Sequence, residues 1–140
     1  MHAIGSGLVI YEIQQNSDTT YRVFDWNRVG LDGKPRDLHV EESMKSIDFD
    51  DFEPGMDTPD GNTLATCEYF TVDQLSLQDG DGISNPQADR FSILTVVSGT
   101  VKTPTGTQFS AGDFLLLPRH ADPLVAHGET VVLQTTIPTK

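Results

Sequence analysis

The apolar positions of this chain do not keep one rhythm. GLVIYEIQQ, from Gly7, is apolar and β-branched and then turns polar; NSD is a turn cluster; TTYRVFDW resumes strand-forming residues. The pattern predicts a β-hairpin. Its strands carry Glu12, Gln14, Gln15 and Arg22 where a core hairpin would carry valines. If Asn16, Ser17 and Asp18 form the loop, Gln15 pairs with Thr19, and Glu12 faces Arg22 on one side of the ribbon. A two-residue loop would put them on opposite faces. The odd loop, which joins a carboxylate to a guanidinium, is the one we expect.

NRVGLDGKPRDLH then reads as a loop with turn signals at Val29-Gly30 and Asp32-Gly33. Val40, Met44 and Ile47 fall at i, i+4 and i+7, which predicts a short helix from about Val40 to Ile47. Glu41 and Glu42 occupy its first turn, where the helix dipole favours them. The stretch 48–62, DFDDFEPGMDTPDGN, is acidic and rich in Pro and Gly, and reads as a linker or a surface excursion. From Leu64 the chain reads as all-β: ATCEYFTVDQLSL, RFSILTVVSGTVKT, TGTQFSAGDFLLLP and ETVVLQTTIP are strands broken by turns, with GDGISNPQAD a loop. Short strands with frequent turns fit a sandwich or barrel, jelly roll included.

Composition narrows the function. The formal net charge is -12, with nine Lys and Arg against 21 Asp and Glu. That argues against nucleic-acid or anionic-membrane surfaces. A phosphorylated ligand would require the few cations to be gathered locally. The single cysteine, Cys67, forbids an intrachain disulfide; a buried position in a strand and a reducing cytoplasmic setting are expected. No run reaches the ~18–20 apolar residues of a membrane span. The N-terminal MHAIGSG lacks the basic start and apolar core of a signal peptide.

FSILTVVSGTV…FSAGDFLLLP, a strand ending in a Gly turn followed by Gly-Asp, mixed apolar residues and proline, resembles a cupin barrel. Metal-binding cupins carry histidines and a carboxylate before the first glycine and a histidine after the proline. Here those places hold Pro86, Gln87, Ala88, Ser92 and Pro123. His120 and His127 lie nearby without partners at metal spacing and read as surface or turn residues. HAIGSGLVIYEIQQNSDTTYRVFDW, with GLDGKPRDLH and the helix after it, resembles the bacterial type I phosphomannose isomerases, also called mannose-6-phosphate isomerases.

The resemblance implies an all-β fold: a hairpin and short helix left from a first, incomplete cupin barrel (1–47), a linker (48–62), and a second, cupin-like jelly-roll barrel without metal ligands (63–140). It makes His2 a zinc ligand, Arg22 the active-site arginine and Glu12 an active-site glutamate; Arg28 stands where some members carry a lysine. The implied reaction interconverts mannose 6-phosphate and fructose 6-phosphate through an enediolate. Zinc would polarise the sugar oxygens and Arg22 would stabilise the oxyanion. The family's other zinc ligands lie upstream of this region. The chain is therefore expected to be a C-terminal portion that binds no zinc and isomerises nothing alone. A homodimer through the N-terminal hairpin is expected to cover its free edges.

Without the resemblance the residues read more plainly. A lone terminal histidine is usually solvated. Glu12 opposite Arg22 would be a surface ion pair worth under about 1 kcal/mol. Tyr11, Tyr21, Phe24 and Trp26 would be packing residues. The alternative function is a non-catalytic cupin-type module for sugar binding or oligomerisation.

Overall fold

The computed structural model describes residues 2–17, 19–53 and 55–138. The chain divides into two compact units, one up to Gly55 and one from Met56, so the division falls inside the 48–62 stretch. Asp18 of the expected hairpin loop and Pro54 of the expected linker lie outside the described residues. No described helix is long and apolar enough to cross a membrane.

The first unit contains little regular structure. Its helix, α1 (Val40–Ser46), has Glu41 and Glu42 in the first turn and Lys45 in the last, each matching the dipole. The helix lies where the spacing predicts it, but Val40 and Met44 are exposed and its buried residue is Ser43. The expected ladder between Glu12 and Trp26 is not made, because no strand is assigned among the described residues of this unit. An isolated two-stranded ribbon is marginal in water. Here Gln14 and Ser17 make local bonds instead: Gln14 Nε2 donates to Ser17 O (3.3 Å), and Thr19 N donates to Ser17 Oγ (3.3 Å). Tyr21, Phe24 and Trp26, expected as packing residues, are exposed, with Phe24 and Trp26 in an edge-on pair 5.1 Å apart. The loop between is closed by an isolated bridge, Val29 to Pro35.

The second unit holds nine strands: β1 (Thr63–Thr66), β2 (Thr71–Leu77), β3 (Gly82–Ile83), β4 (Ser92–Ser98), β5 (Thr100–Lys102), β6 (Gln108–Ser110), β7 (Phe114–Leu117), β8 (Leu124–Ala126) and β9 (Thr130–Thr136). They form two antiparallel sheets, ordered β1-β2-β9-β4-β7 and β3-β8-β5-β6. Alternation on β4 and β9 sends Leu94, Val96 and Val132 inward, each at most 1% exposed. Ile83, Val101 and Leu124 of the second sheet meet them in one apolar cluster with Leu115 and Leu117. The short strands β3 and β8 went unread in the sequence.

The turn between β4 and β5 shows why glycine stands there. Gly99 has φ +76, and a Cβ would strike Glu129 O and the Thr130 side chain. Thr130 Oγ1 ties this corner by donating to Thr100 O (3.1 Å) and accepting from Thr100 N (3.2 Å). Cys67, expected buried in a strand, is instead exposed in the turn between β1 and β2, where its N donates to Phe70 O.

Candidate functional site

The site is built on a tight turn in the first unit. Trp26 and Asn27 both adopt left-handed conformations, φ 53 and 54, and Arg28 N donates to Asp25 O (2.9 Å) across them. Two consecutive left-handed residues, neither of them glycine, carry backbone strain of order 1 kcal/mol each. The turn brings Arg28 back beside the carboxylate three residues earlier. Arg22 is fixed from a different direction. Its N donates to His39 Nδ1 (3.3 Å), its carbonyl accepts from His39 N (2.7 Å), and its guanidinium donates to Asp37 O (3.3 Å). His39 is also the residue that opens α1.

These residues surround a cavity of about 230 Å³ whose wall includes His2, Arg22, Asp25, Trp26, Arg28 and Arg36. At its centre is Asp25, 7% exposed. Arg36 grips both carboxylate oxygens, with Nε at 2.6 Å from Oδ2 and a terminal nitrogen on Oδ1. Arg28 Nε lies 3.5 Å and Arg22 Nε 4.0 Å from Oδ1. The Arg36 hydrogen bonds hold the Asp25 carboxyl below the usual range, against the opposing effect of burial and with help from Arg28 and Arg22. Asp25 in turn raises Arg36. Three guanidinium charges against one carboxylate leave a surplus of two, gathered in a chain of net charge -12.

Of the three site residues expected from sequence, His2 and Arg22 line this cavity and Glu12 does not; Glu12 is exposed. Sequence reasoning missed Asp25, Arg36 and His39. A signal for the first two existed. Four of the nine cations, Arg22, Arg28, Lys34 and Arg36, fall within fifteen residues of one another, beside an aspartate flanked by two aromatic residues.

The donor set does not suit zinc. Among the described residues no three His, Cys, Asp or Glu side chains converge. The one carboxylate in the cavity is already gripped by a guanidinium, and three positive groups repel a cation there. In the second unit, a cleft of about 400 Å³ is walled mainly by apolar side chains, Phe109, Leu115, Leu117 and Leu124 among them, with Asp122 its one charged lining residue. His127 lies elsewhere, 3.3 Å from Asp79. Gln87 Nε2 donates to Ile137 O (2.5 Å), and Asn85 Nδ2 donates to Arg90 O and Leu117 O.

No family model matches the chain. Mannose-6-phosphate isomerase ManA of Bacillus subtilis is 33% identical over 132 residues, which is 84% of this chain and 40% of that protein. A mannose-6-phosphate isomerase of Streptococcus mutans is 33% identical over 129 residues, with the same coverage of 84% and 40%. The solved mannose 6-phosphate isomerase of Bacillus subtilis superposes with a TM-score of 0.68 at 25% identity, over 88% of this chain and 42% of that one. The chain thus spans about 40% of the length of the curated relatives it matches.

Proposed function

Because this chain is homologous to the mannose-6-phosphate isomerases and shares their cupin fold, we propose that it forms the C-terminal portion of such an enzyme. The reaction interconverts mannose 6-phosphate and fructose 6-phosphate. The observation that carries the reading is the cavity that joins His2 and Arg22 within a cationic wall.

The chemistry sets three demands. A proton leaves C2 of the aldose and one is delivered at C1, so a base or shuttle is needed. Negative charge develops on the sugar oxygen, so fixed donors must face it. The phosphate needs a cation. Arg22, braced by Asp37 and His39, meets the second demand with little reorganisation. The charge surplus of two suits a phosphate dianion; Arg28, the most exposed of the three, meets the third demand, while Arg36 is held on Asp25. Glu12 assists in the complete enzyme rather than from this cavity. Zinc belongs to the complete enzyme, with His2 giving one ligand; this chain alone binds none and turns over nothing. A second copy would cover the exposed Leu8, Val9 and Ile10.

The test assays mannose 6-phosphate isomerisation by this chain alone and by a chain extended upstream with the missing region, each with and without zinc. Activity confined to the extended, zinc-loaded chain is expected. Turnover or one zinc per chain from the 140 residues alone would overturn the fragment reading. An inactive extended chain would favour a non-catalytic sugar-binding or oligomerisation module.

A further inference from the structure

We propose that Asp25 is a positioning residue, locked in orientation by the two-pronged grip of Arg36, which sets the guanidinium groups of Arg22 and Arg28 in the cavity wall. The proposal rests on the reading that this cavity receives a phosphorylated ligand.

Three observations support it. First, Asp25 is nearly buried, and both of its oxygens are engaged by Arg36 in a planar fork that fixes the carboxylate plane. Second, Arg22 and Arg28 make their closest approach to that carboxylate through Nε. Their terminal nitrogens lie farther from it, with donors for other acceptors. Arg28 in particular is 65% exposed and would otherwise sample many rotamers. Third, the strained Trp26-Asn27 turn holds Arg28 and Asp25 together through the backbone. Strain maintained at a cationic pocket suggests that the spacing of these charges is what the turn provides.

Charge and position make opposite forecasts, and this allows a clean test. If Asp25 only dilutes the positive field, Asp25→Asn raises the surplus and tightens anion binding. If Asp25 positions the guanidiniums, the same substitution loosens it. Inorganic phosphate and mannose 6-phosphate are titrated calorimetrically into the full chain and into Asp25→Asn and Arg36→Lys. The Nε–Hε resonances of Arg22 and Arg28 are followed by NMR. Arg36→Lys keeps the charge and removes the fork.

Saturable binding by the wild type, weakened about tenfold or more in both variants with loss of the ordered Nε–Hε signals, is the expected result. Equal or tighter binding by Asp25→Asn, or wild-type binding by Arg36→Lys, overturns the positioning role while leaving the ligand reading intact. No saturable binding by the wild type overturns both. Should Asp25→Asn disorder the whole region, Arg36→Lys by itself decides between charge and position.

Discussion

Residues 2–55 and residues 56–138 keep their shapes by different means. The second region has nine strands in two sheets around a shared apolar cluster. Among its described residues the first has one helix of seven residues and one isolated bridge, and it leaves Leu8, Val9, Ile10 and Leu31 exposed. Its conformation depends on polar fastenings, Asp25 to Arg36 and Arg22 to His39. The region rich in apolar contacts supplies rigidity, whereas the charged cavity sits where such contacts are sparse. Regions with few buried apolar contacts open at low free energy.

Five substitutions and one change of pH bear on this contrast, taken broadly from the largest effect down. Leu94→Ala at the centre of β4 should destabilise the second region by about 3 kcal/mol, read by urea denaturation. Val9→Ala, fully exposed in the first region, should change stability by less than about 0.5 kcal/mol. Similar losses at the two sites would remove the distinction. Gly99→Ala should cost about 2 kcal/mol through its left-handed φ and the steric block at Glu129 and Thr130; a thermal midpoint unchanged from wild type would contradict that.

Acid should loosen the cavity of the first region. The folded Asp25 carboxyl sits below its ordinary 3.8. The stabilisation it lends is therefore complete above the ordinary value and is lost as pH falls through the lowered one. The amide and Arg Nε signals around the cavity should broaden below about pH 4, and Asp25→Asn should remove that transition. A concerted acid transition in both regions would blur the comparison. Glu12→Gln should be nearly silent in stability, within about 0.5 kcal/mol, because the side chain is exposed and outside the cavity.

The sequence announced the second region well. β-Branched and apolar runs at SILTVVS and TVVLQTT, with a glycine between SILTVVS and TVK, mark central strands in which adjacent positions are buried as well as alternate ones. The strands β3 and β8 escaped because two or three residues cannot display a period. The first region misled for a physical reason: β-branched residues at Val9 and Ile10 signal strand, but a ladder also needs a packed partner. The site was half legible. A family likeness pointed to His2 and Arg22, whereas Asp25 and Arg36 meet through a turn and a loop that no periodicity describes.

The amide of Gln87 behaves like a borrowed rung: it donates to Ile137 O and accepts from Ile137 N at 3.4 Å. Arg90 fastens the next carbonyl, Pro138 O, at 2.6 Å. Replacing Gln87 would undo two of these three fastenings and leave Arg90 as the remaining clasp on the segment that follows β9.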